Sequence, residues 1–167
     1  MDESGATTVM TRTYGRAPAG ERVPGAVPGA WESVTVIAGM RLSGVVAPWV
    51  FVGATDTAAF ETWVTEVLVP ELEPGAVVVW DNLSPHTSAV AQRAVESAGA
   101  TVKRLPPHSP DLTPIEPMWS KVKGTLRTLA ERTVPRLLGA IGTALQQVTL
   151  LDIVGWFHDR NLCLDQT

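Results

Sequence analysis

The run Ala76-Val77-Val78-Val79-Trp80 stops at Asp81. It has no polar alternate position and is too short for an ordinary helix, so it reads as a strand covered on both faces. Such a strand needs layers above and below it, and the flanking sequence supplies candidates. Ser33 to Met40 and Gly44 to Val52 are β-branched runs split by Arg41-Leu42-Ser43, a hairpin pattern. Thr57 opens a helical pattern in which Phe60, Trp63, Val64, Val67 and Leu68 share a face, ended by Pro70 and Glu73-Pro74-Gly75. After Asp81, Ser88 to Ala98 reads as helix, Ala100 to Leu105 as strand and Pro114 to Ala130 as helix. Further helical patterns run from Val134 to Val148 and from Leu150 to Asn161, the first with an apolar stripe of Leu137, Leu138, Ile141, Leu145 and Val148. Residues 1–10 fit another strand, and residues 11–30, rich in Gly, Pro and Arg, fit a loop. A hairpin feeding alternating strands and helices predicts an α/β fold: a mixed sheet flanked by helices, with extra C-terminal helices. The length of 167 residues suits one domain spanning 1–167.

Composition narrows the function classes. Apolar content of 45% and charged content of 18% exclude a disordered chain. The single cysteine, Cys163, excludes an internal disulfide framework and a multi-cysteine zinc site, and a reducing cytoplasm is the simplest compartment. The longest apolar stretches, such as Val45 to Val52, are far too short to span a bilayer, so no membrane partner is expected. Neither a phosphate-binding glycine loop nor a dinucleotide fingerprint is present, and no small-molecule cofactor is expected. The net charge of −4 is unevenly spread. Asp56, Glu61, Glu66, Glu71, Glu73 and Asp81 lie between Gly53 and Asn82 with no Lys or Arg among them. Lys103, Arg104, Lys121, Lys123, Arg127, Arg132 and Arg136 lie between Thr101 and Arg136 against three acids. That basic half is either a solvated helix face or a surface for phosphates.

Three carboxylates stand where chemistry would need them. Asp81 follows a strand, at the end of a sheet where α/β folds place ligands, although Asp81-Asn82 could also simply turn the chain. Glu116 fits a capping box with Thr113 as N-cap and Pro114 in the first helical position, a structural duty that needs no catalysis. Asp2 and Glu3 sit at the N-terminus, where acids are ordinarily frayed. Converging from separate elements, three such carboxylates could hold two divalent ions about 3.5–4 Å apart, as phosphodiester chemistry requires. Hard oxygen donors suit Mg²⁺ or Mn²⁺. His86 and His108 lie close to these motifs, and a capping or packing duty is the simpler account of His86. Ser84 with His86 lacks the strand–turn–helix elbow of a hydrolase. The six tryptophans are scattered and read as core residues.

Longer stretches carry a family resemblance. Val77 to His86 resembles the second-aspartate motif of DDE superfamily endonucleases, and Leu105 to Lys123 resembles their glutamate motif. The 34 residues between Asp81 and Glu116 match the mariner-like superfamily and its bacterial insertion-sequence relatives. Met1 to Gly5 resembles the first-aspartate motif, and Tyr14 to Arg22 the basic stretch that follows it. The resemblance implies an RNase H-like fold and a two-metal transposase, with Asp2, Asp81 and Glu116 as catalytic metal ligands for two Mg²⁺ or Mn²⁺ ions. Hydrolytic cleavage at transposon ends and strand transfer into target DNA would follow. Arg12, Arg16, Lys121, Lys123 and Arg127 would contact DNA, a homodimer is suggested, and the location would be bacterial cytoplasm at the nucleoid.

Family members also carry N-terminal helix-turn-helix domains, for which this sequence has no counterpart, and only Met1 precedes Asp2. The sequence reading is therefore of an N-terminally truncated catalytic domain with impaired activity. A host RNase H-like nuclease and a non-enzymatic DNA-binding or dimerising remnant are the competing readings.

Overall fold

Strand β2 (Ser33–Arg41) organises the protein: six consecutive residues, Val34 to Gly39, run buried through its interior. The computed structural model describes residues 1–106, 109 and 112–162. On one edge β2 pairs antiparallel with β1 (Asp2–Thr7), and on the other with β3 (Gly44–Val52), in the order β1-β2-β3. A register shift between Ile37 and Gly39 bends the hairpin opposite Ala47, whose φ of 51° lies in the left-handed region. Gly39 suits this close approach, because a Cβ there would stand 2.9 Å from a Val46 methyl. Strands β4 (Val77–Trp80) and β5 (Thr101–Arg104) form a separate parallel pair. The Met1 nitrogen donates to the Val79 carbonyl at 2.9 Å, joining the start of β1 to β4.

Helices cover both faces of β2. Helix α1 (Thr57–Thr62), capped by the Asp56 carboxylate, continues into a π-helical segment (Trp63–Leu68) and a 3-10 turn (Val69–Glu71). With α2 (Ala89–Ser97) it packs Phe60, Trp63, Val64, Trp80, Ala91 and Val95 against Ile37. Trp63 also donates its indole N–H to the Ala47 carbonyl at 2.8 Å, pinning the bend in β3. On the opposite face, α3 (Ile115–Leu129) and α4 (Val134–Gln146) pack Met118, Val122, Leu126, Leu137 and Ile141 against Val34, Val36 and Ala38. Helix α5 (Leu150–Asp159) is tied on by the Lys121–Asp152 ion pair and starts with a Thr149–Asp152 capping box.

Three sequence expectations need correction. Strand β4 is not covered on both faces: Val78 and Trp80 are buried, while Val77 and Val79 are 53% and 38% exposed. Its outer valines instead line a largely apolar groove of about 780 Å³ shared with Met40, Leu42 and Leu112. The strand with both faces covered is β2, because α1 and the α3–α4 pair close on it from opposite sides. On α4 the buried stripe runs through Leu137, Ala140, Ile141 and Ala144, and Leu138 faces out at 42% exposure. The small alanines Ala140 and Ala144, rather than Leu138, turn toward the core that α4 shares with α3. The proposed core role of the tryptophans holds for Trp63, Trp80 and Trp119, whereas Trp31 is 64% exposed.

Candidate active site

Asp2 opens β1 and pairs across the ladder with Ala38. Placing it in a strand overrides the fraying expected of a terminal acid. Asp81 follows the last residue of β4, and Leu83 N–H donates to its Oδ1 at 2.9 Å, so the turn reading of Asp81-Asn82 is correct as far as it goes. Glu116 lies in the first turn of α3, but the expected capping box does not form. Pro114 is the N-cap, with no side-chain cap, and Thr113 Oγ1 accepts from Ile115 N–H at 3.4 Å. The helix starts one residue later than the sequence suggests, so Glu116 occupies the second helical position and is exposed.

These three carboxylates line one cleft of about 370 Å³, together with Asn82, Leu83, Leu105, Pro106, Ser109 and Thr113. The larger apolar groove has none of the three in its lining and offers no comparable chemistry. Burial pushes the Asp2 carboxyl up to about 6; a hydrogen bond from the backbone at Glu3 opposes this, and the negative charges of Glu3 and Glu116 add to it. The crowding of like charges is what a cation would relieve. The donor set, three carboxylates and no sulfur, suits a hard divalent ion. Among the described residues no three His, Cys, Asp or Glu side chains already close to coordinating distance, so the set is open. His108 and Asp111 of the glutamate motif lie outside the described residues.

A second cluster adjoins the cleft, and little in the sequence signals it. His86 sits in a 3-10 turn (Ser84–Thr87) and is fully buried, its ring 4.4 Å from that of Phe60. Its Nδ1 makes a short contact with Asp81 Oδ1, and its Nε2 lies 3.1 Å from Glu3 Oε2. The second contact is off the angle of a good hydrogen bond, and neither of its atoms has another hydrogen-bond partner. Burial disfavours a charged ring, but the Glu3 and Asp81 carboxylates outweigh it and hold the His86 pKa above its usual value. The capping or packing duty expected of His86 leaves out both carboxylates. Glu3 lies 83 positions from His86 in sequence, so no local pattern could join them.

The candidate DNA contacts divide. Arg12 and Arg16 lie in a fully exposed segment, and Lys123 and Arg127 are half-buried on α3. Lys121 is held by Asp152. Arg132, in the basic half of the sequence, donates to the carbonyls of Thr8 and Met10 at 3.0 and 2.9 Å.

The sequence profile of the family described as DDE superfamily endonuclease matches residues 1–137. This chain belongs to that family. No curated protein matches it by sequence. Among solved structures, the Mos1 transposase paired-end complex with left transposon end aligns with a TM-score of 0.77 at 14% identity, over 95% of this chain and 50% of that one. The Mos1 mariner paired-end complex with Mn gives a TM-score of 0.73 at 16% identity, over 95% and 51%. The catalytic domain of Mos1 mariner transposase gives 0.65 at 14% identity, over 77% and 69%. The fold is thus the RNase H-like fold of those catalytic domains, as the resemblance implied. The chain spans about half the length of the first Mos1 transposase chains it matches.

Proposed function

We propose that this chain is the catalytic domain of a DDE transposase, a metal-dependent DNA endonuclease that cuts transposon ends and joins them to target DNA. The observation that carries this reading is the meeting of Asp2, Asp81 and Glu116 in one cleft, although they come from a strand start, a strand end and a helix start. These carboxylates would hold two Mg²⁺ or Mn²⁺ ions. When bound, the ions would activate a water or 3′-hydroxyl and stabilise the leaving oxygen. Asp2 would enter partly protonated near pH 6 and give up that proton to the solvent as a cation binds. Leu83, Leu105 and Pro106 add apolar surface to the wall of the cleft beside the carboxylates. DNA is the substrate and the partner in this reading; the Mos1 complex with Mn supports the metal, and the Mos1 complex with the left transposon end supports the DNA.

The test is nicking of supercoiled plasmid with and without Mn²⁺. Nicking should require the metal and fall on the order of 10³-fold in Asp81→Asn and in Glu116→Gln, with folding unchanged by circular dichroism. A wild-type chain that leaves the plasmid intact in Mn²⁺, or variants that cut as well as it does, would defeat the endonuclease reading.

A further inference from the structure

We infer that His86 is a positioning residue: its Nδ1–H holds the Asp81 carboxylate in place for cation binding, while Glu3 steadies the far side of the ring. The inference rests on the reading of Asp81 as a cation ligand.

Three observations support it. First, the ring has little freedom. It is fully buried, packed at a tilt against Phe60 and set in a tight turn bounded by Leu83 and Ser88. Second, each ring nitrogen faces a carboxylate from a different element: Asp81 beyond β4, and Glu3 on β1. An ionised carboxylate has no proton to give, so the ring is the donor toward Asp81. Third, the Leu83 N–H and the His86 ring both act on Asp81 Oδ1. Two fixed donors on one oxygen set the plane of the carboxylate and do not use its second oxygen.

Packing alone does not account for this arrangement. A phenyl ring would fill the same site without bringing two carboxylates toward an apolar interior, which costs free energy unless they are well paired. The same cluster also links β1 to β4, the two strands that carry Asp2 and precede Asp81. Partners that orient a ligating side chain typically change metal affinity about 10–100-fold when removed.

Two amides separate the contacts. The amide nitrogen of Asn falls near Nδ1 of the histidine it replaces, and that of Gln near Nε2. His86→Asn keeps the donor to Asp81, whereas His86→Gln loses it and keeps only a polar group facing Glu3. With Mn²⁺ titrated by calorimetry, His86→Asn should stay within about threefold of wild type and His86→Gln should weaken by roughly tenfold or more. Melting curves check that both variants fold, and a purely structural duty would move the two alike. If neither folds, the wild-type protein still decides, by proton NMR of its ring. A strongly downfield Nδ1 proton is expected, lost in Asp81→Asn and kept in Glu3→Gln.

Equal Mn²⁺ affinity in His86→Gln and wild type, or no downfield ring proton in the wild-type protein, would overturn the inference. A wild-type chain that binds no Mn²⁺ fails differently. It removes the metal-centre reading and with it a positioning role toward a cation, even where the ring proton shows the contact itself to be real.

Discussion

Asp2 shows at the residue scale what a buried carboxylate does to a fold. Its pKa, raised by burial to about 6 from the ordinary 3.8, means that the folded protein keeps a proton which the unfolded chain has released. Stability therefore falls as pH rises from about 4 to about 6, and the deficit stays constant above that window. Asp2→Asn removes the ionisable group and should stabilise the metal-free protein at pH 7 by roughly 1–3 kcal/mol, while changing little at pH 4. Urea unfolding in the presence of a chelator at the two pH values checks this. A variant no more stable than wild type at pH 7 would mean that the carboxylate is better solvated than its burial implies. The same substitution should weaken Mn²⁺ binding, which separates the group's stability cost from its proposed function.

At the scale of elements, the contacts that hold the site together are less local than the elements themselves. Arg132 lies between α3 and α4 and clasps the carbonyls of Thr8 and Met10, just past the end of β1. Arg132→Ala should cost about 1.5–3 kcal/mol, the range for hydrogen bonds made by a charged group, measured by chemical denaturation. A loss within about 0.5 kcal/mol would show the clasp to be an ordinary surface contact. The sequence showed the hairpin, the helix after Asp56 and the strands around Asp81 because each is written in a repeating pattern of neighbours. Asp81 at a strand end was legible for the same reason. Glu116 was legible as an acid at a helix start, but not as a free one. One residue of shift in that start turned an expected cap into a cleft residue. Nothing local marked the carbonyl contacts of Arg132 or the pairing of Glu3 with His86, because those partners meet only after the chain has folded. The outer face of β4 was misread because a continuous apolar run reports hydrophobic residues, not what covers them.

Over the whole molecule, a net charge of −4 has to be reconciled with the polyanionic substrate proposed above. The structure takes Lys121 and Arg132 out of the pool of free cations, through Asp152 and the Thr8 and Met10 carbonyls. Arg12 and Arg16 remain on an exposed segment that leads away from the end of β1, the strand that Asp2 opens. Backbone binding is driven by counterion release, so each phosphate neutralised steepens the fall of log affinity with log salt by about 0.9. If both arginines contact phosphates, replacing them together with alanine should weaken duplex binding at low salt and lower that slope by about 2. Arg132→Ala, whose guanidinium is already occupied, should leave the slope unchanged in protein that remains folded. Fluorescence anisotropy with a labelled duplex across a salt series measures both. An unchanged slope in the double variant would move the DNA path off this segment and toward Lys123 and Arg127 on α3. The slope, unlike a single affinity, separates lost phosphate contacts from a general loss of fold, because a partly unfolded protein binds less at every salt concentration without changing the number of ions released.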